Sequence, residues 1–107
     1  MNGYQISFLT VQAHRHKGKP VSEWLLNLAR EMGLRGATSI AGSEGFGRHG
    51  RVHSAHFFEH SDQPVEVVMA ASEEETERLF ERLRAENLKI FYVKTPVEFG
   101  VLGPARG

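Results

Sequence analysis

The sequence predicts an α+β sandwich in the order strand, helix, strand, strand, helix, strand. Two amphipathic helical stripes, four strand-like segments and a Gly-rich stretch between the second and third strands carry that prediction. Tyr4 to Val11 places Tyr4, Ile6 and Phe8 on one face and Gln5, Ser7, Leu9 and Val11 on the other. This is the period of a strand, and its second face is also partly apolar. Pro20 opens a helix running to about Met32, because proline suits the first helical turn. Val21, Trp24, Leu25, Leu28, Ala29 and Met32 form its apolar stripe. Gly33 stops the helix, since glycine takes the left-handed cap conformation cheaply.

Ala37 to about Gly42 is a second, small-residue strand. Ser43 to Arg51 carries Gly45, Gly47 and Gly50 and reads as a loop or a loosely paired ribbon, with Val52 to Phe58 as its return arm. Ser61-Asp62-Gln63-Pro64 is a turn by composition. Val65 to Ala70 is the third strand. Ser72-Glu73-Glu74-Glu75 is a capping box, with three acids where the helix dipole favours them. Thr76, Leu79, Phe80 and Leu83 form the buried stripe of this second helix, and Asn87 stops it. Leu88 to Val93 is the last full strand, and Pro96 demotes the residues around and after it to an edge or a tail.

Two such halves build a split β-α-β sheet with both helices on one face, the ferredoxin-like arrangement. Two helices cover only one face of the sheet. Leu9, Val11, Val68, Phe91 and Val93 are left on an open apolar face, and this predicts a homo-oligomer.

The 107 residues suit one domain spanning 1–107. The absence of Cys excludes a disulfide framework and a thiolate zinc site. No apolar run approaches a membrane span. The first residues lack a signal-peptide pattern, so a cytoplasmic location is expected. With 13 basic and 13 acidic residues there is no global attraction to nucleic acid. The balance is uneven along the chain. Residues 1–53 hold seven Lys/Arg and three Glu, and the positive charge gathers in His14-Arg15-His16-Lys17-Gly18-Lys19 and around Arg48 and Arg51.

Gly42 to Gly50 is the most unusual segment. It is not a dinucleotide fingerprint, since no helix opens at its end, and it has no Gly-Lys-Ser/Thr of a P-loop. Its backbone N–H groups can still face an anion. His53, His56 and His60 fall within eight residues and invite a zinc or copper site. On a strand, however, His53 faces away from the other two. No serine sits in a nucleophile-elbow pattern, and nothing demands an enzyme.

Gly33-Leu34-Arg35-Gly36-Ala37-Thr38 followed by Glu44-Gly45-Phe46-Gly47-Arg48 resembles the stretch from the first helix into the T-loop of PII signalling proteins. Lys89-Ile90-Phe91 is similar to their last-strand motif, and Pro64-Val65-Glu66-Val67-Val68 to their third strand. The closer resemblance is to a PII-like family of unknown function, through Gly18-Lys19-Pro20 and Val52-His53. It covers roughly residues 4 to 102. It implies a trimer with sheets facing inward, and a small anionic metabolite or an adenine nucleotide (ATP, ADP or AMP) in clefts between subunits. It further implies a T-loop-like ribbon, residues 43–63, that signals to a membrane transporter or another regulated protein. By position, the ligand residues are Thr38, Gly45, Phe46, Gly47, Arg48, His49 and Lys89.

The chain departs from PII at three points. Two late arginines are replaced by Phe99-Gly100-Val101-Leu102, a Gln at the T-loop base is His49, and no Tyr lies between Ser43 and Gln63. The missing arginines predict weaker ATP binding or a less charged ligand, with the basic 14–19 loop as a source of replacement charge. The expected function is that of a non-enzymatic PII-like regulator. The alternative is a cation-tolerance-like metal protein using His53, His56 and His60.

Overall fold

The computed structural model of the chain describes residues 1–42, 44–46, 52–54 and 63–104. In chain order the elements are β1 (Asn2–Val11), β2 (Arg15–His16), β3 (Lys19–Pro20), α1 (Val21–Glu31), β4 (Ala37–Ala41), β5 (Glu44–Phe46), β6 (Val52–Ser54), β7 (Pro64–Ser72), α2 (Glu73–Ala85) and β8 (Phe91–Glu98). Four strands form one antiparallel sheet in the order β4-β7-β1-β8. Both helices pack on one of its faces, as the ferredoxin-like expectation requires.

The core follows from period and register. Ile6 and Phe8 of β1 stand opposite Met69 and Val67 of β7, and all four are buried under Val21, Leu25 and Leu28 of α1 and Leu79 of α2. Each strand sends alternate residues to this side, so the other face has no cover from its own chain among the described residues. Helix α2 starts as its sequence dictates. The Ser72 hydroxyl accepts from the Glu75 N–H at 3.1 Å, and the Glu75 carboxylate accepts from the Ser72 N–H at 2.8 Å. Asn87, at φ 56°, ends it in the left-handed region. Gly33 ends α1 in the same way, at φ 75°.

Several boundaries differ from the sequence expectation. Pro20 is extended, at ψ 139°, and caps α1 from outside its first turn. The last strand is Phe91–Glu98 rather than Leu88–Val93. Leu88 and Ile90 pack against the core without pairing. Strand β1 begins at Asn2, which pairs with Glu98 at the far end of β8. Pro96 is tolerated within β8 because this is an edge strand with one unpaired side. The basic loop is partly a hairpin: β2 pairs with β3 across Lys17 (φ 51°) and Gly18 (φ 80°), the two left-handed residues that a tight two-residue turn needs. The Gly-rich ribbon has its first rungs, Glu44↔Ser54, Gly45↔His53 and Phe46↔Val52. The rest of the expected return arm, and Ser61 and Asp62 of the expected turn, lie outside the described residues.

Candidate functional site

The uncovered sheet face is organised in rows. Ile40, Glu66, Leu9 and Phe91 stand side by side across β4, β7, β1 and β8, and the next row is Thr38, Val68, Ser7 and Val93. Phe91 is 66% exposed, Ile40 47%, Val93 45% and Leu9 41%. The apolar open face foreseen from Leu9, Val68, Phe91 and Val93 is therefore present, and Ile40 enlarges it.

Two of the expected ligand residues can be located within this frame. Thr38 lies on β4, one edge of the sheet. Lys89 is exposed between Leu88 and Ile90, whose side chains turn to the core, just before β8 at the other edge. Three strand spacings separate these edges, about 14 Å at ~4.8 Å each. One chain therefore does not bring Thr38 and Lys89 together; a second copy laid edge to edge can. Gly45 and Phe46 belong to β5, and Gly47, Arg48 and His49 lie outside the described residues. Of the histidine cluster, His53 is on β6, and His56 and His60 lie outside the described residues. Among the described residues no group of three His, Asp or Glu is placed to hold a metal ion.

The basic hairpin is committed elsewhere. Oε1 of Glu86, at the C-terminal cap of α2, receives Nζ of Lys17 at 2.9 Å and Nε2 of His16 at 2.8 Å. Nε of Arg82 lies 3.5 Å from its other oxygen. The Lys17 ammonium, then the His16 ring, hold the Glu86 carboxyl down to about 2. The His16 ring also stands edge-on to Trp24, at 4.7 Å between centroids. Lys17 and His16 thus neutralise a carboxylate of their own chain, which corrects the expectation that this loop holds replacement charge for a ligand. Sequence reading missed Glu86 because its partners are about 70 positions away.

Sequence reading also missed a depression of about 360 Å³ where α1 runs out into β4. It is lined by Leu26, Arg30, Leu34, Arg35, Gly36 and Ala37. Arg30 donates to Asn27 Oδ1 at 2.9 Å, and the Arg35 guanidinium lies 5.8 Å from the Phe99 ring centre. Neither arginine pairs with a carboxylate among the described residues. The available signal was two arginines flanking the Gly33 helix stop, immediately before Thr38.

The sheet order, the shared helix face and the ribbon between β4 and β7 define a PII-like ferredoxin fold. Solved structures agree. CPII, a nitrogen regulatory PII-like protein from Thiomonas intermedia K12 bound to ADP, AMP and bicarbonate, superposes with a TM-score of 0.68 at 20% identity, over 94% of this chain and 91% of its own. A putative PII-like signaling protein from Thermus thermophilus gives 0.66 at 15% identity, over 90% and 87%. Among sequences, a UPF0166 protein of Aquifex aeolicus (strain VF5) is 29% identical over 83 residues, 77% of this chain and 79% of that one. Residues 4–98 match the DUF190 family, "Uncharacterized ACR, COG1993", and the chain belongs to that family.

Proposed function

We propose that this protein is a non-enzymatic, homotrimeric PII-like regulator. It binds a small anionic metabolite or an adenine nucleotide between subunits and relays occupancy to a partner protein through residues 43–63. The observation that carries the reading is the separation of Thr38 and Lys89 onto opposite edges of a sheet whose exposed face is apolar. A ligand set split in this way is completed by a neighbouring copy, and covering the apolar face supplies the free energy for association. The ligands held by CPII, an adenine nucleotide with bicarbonate, support the ligand class.

In this reading Lys89 of one subunit supplies a point charge, and Thr38, Gly45, Phe46, Gly47, Arg48 and His49 line the opposing side. Glycines let main-chain N–H groups approach a phosphate or carboxylate, and Arg48 adds a fork that matches two oxygens at once. The test is calorimetric titration with ATP, ADP, AMP, bicarbonate, dicarboxylates and zinc, on wild type and Lys89→Ala. Binding of an anion, weakened by ~1–3 kcal/mol in the variant, is the expected outcome, the usual cost of a lost charge-assisted bond. Equal affinities remove Lys89 from the site, and binding of zinc alone turns the reading to His53, His56 and His60.

A further inference from the structure

Among the described residues, Glu66 is the only ionisable one at the outward positions of β1, β4, β7 and β8. Its neighbours in the row are Ile40 on one side and Leu9 on the other, and Val68 follows it along β7. The outward residues of β1, β4 and β8 carry no titratable group, and the nearest charge at the margin is Lys89, before β8. Lys89 and Glu66 make no ion pair with each other. A lone, half-buried carboxylate thus sits in the middle of an apolar surface, where water is its main partner.

We propose that Glu66 sets the strength of self-association, and that its protonation favours the assembled state. The inference rests on the homotrimer reading above and names how that assembly is regulated. The occupant of the face is a second copy of this chain. Four strands at ~4.8 Å spacing and about 30 Å of strand length give a face on the order of 600 Å². That approaches the ~800 Å² per partner of a standard specific interface. One acid and no base on the strands offers nothing for a strongly charged partner to recognise, whereas apolar rows pack well on their own copies.

Covering the face strips water from Glu66, and identical copies bring carboxylates toward one another. Desolvation and like charge both disfavour the ionised form, so the carboxyl's affinity for a proton rises on assembly. By linkage, whatever binds a proton more tightly when assembled is assembled more tightly as the pH falls.

The test is sedimentation equilibrium of the full chain, wild type and Glu66→Gln, near pH 8 and near pH 5, with circular dichroism as a control for folding. Each unit by which assembly raises the carboxyl's pKa is worth about a tenfold change in affinity per subunit. Wild type is therefore expected to associate at least about tenfold more tightly per subunit near pH 5. Glu66→Gln is expected to associate tightly at both values, with the pH dependence largely removed. An assembled wild type whose affinity or pH profile is unchanged by Glu66→Gln overturns this inference alone. Weaker association of Glu66→Gln also overturns it, by showing that a cation of the neighbouring copy neutralises the carboxylate. A wild type that stays monomeric under every condition overturns the homotrimer and this inference together.

Discussion

Truncating Phe91 to alanine should break the assembly without breaking the fold. The ring stands at the end of the Ile40–Glu66–Leu9–Phe91 row, is 66% exposed, and is absent from the buried core. A phenylalanine offers on the order of 200 Å², so about 130 Å² remains in water. Burying that area against another copy contributes about 3 kcal/mol at ~25 cal/mol/Å². Alanine retains about a third of it, so the loss is ~2 kcal/mol per subunit and ~6 kcal/mol per trimer when the whole ring is covered. At about 1.4 kcal/mol per decade, the trimer's association constant falls by about four orders of magnitude. Light scattering over a dilution series reads this directly. Wild type should hold three times the 12.0 kDa chain mass at concentrations where Phe91→Ala does not, while the far-ultraviolet dichroism of the two agrees. Equal dissociation of the two proteins would refute the reasoning, because it would mean the ring is uncovered in the assembly. Loss of the dichroism signal would refute it differently, by assigning Phe91 a part in the monomer's core.

Two further outcomes concern the fold itself. Ser72→Ala removes the hydroxyl that caps α2 and should cost ~1 kcal/mol of stability by urea unfolding, with a smaller loss for Ser72→Asn. Glu86 has its pKa depressed from 4.5 to about 2, so its contribution to stability is complete above the unfolded value and fades as the pH falls from about 4.5 to about 2. Glu86→Gln should lower the melting temperature at neutral pH and flatten that acid limb, and an unchanged acid limb would show that the clasp with Lys17 and His16 contributes nothing.

What the sequence made legible was whatever is encoded locally. The stripe Val21–Trp24–Leu25–Leu28, the Ser72–Glu75 box and the alternation of Ile6 and Phe8 each specify an element within a few turns or one strand, and each is present in the structure. The two-sided strands also exposed the open face, since a helix pair covers only one side of a sheet. Long-range pairing stayed hidden. The end of β8 is set by where β1 begins, nearly 100 residues earlier in the chain, so Pro96 alone misplaced it. The fate of Lys17 depends on Glu86, and a run of basic residues cannot announce that a distant carboxylate already holds it. Lys89 was identified from its motif, but its distance from Thr38 follows only from the strand order.

That strand order, with the helix ends, limits where an anion's charge can be met. Strand β7 ends at Ser72 and α2 begins at Glu73, so no loop intervenes to wrap a phosphate. The first N–H groups of α2 face Ser72 and Glu75 and are surrounded by Glu73 and Glu74, which closes the helix N-terminus to anions. The hairpin cations Lys17 and His16 are held by Glu86. Arg30 and Arg35 stand beside the start of β4, at the Thr38 edge, and Lys89 stands at the β8 edge. In the proposed cleft, a ligand's negative charge therefore meets few cations, contributed from two subunits. Such a site favours a ligand with one or two charges over a triphosphate, because each further phosphate would be desolvated without a partner. AMP, or a carboxylate-sized anion beside a nucleotide, should accordingly outcompete ATP in the same titration, and an ATP affinity well above that of AMP would require additional cations from the 43–63 segment.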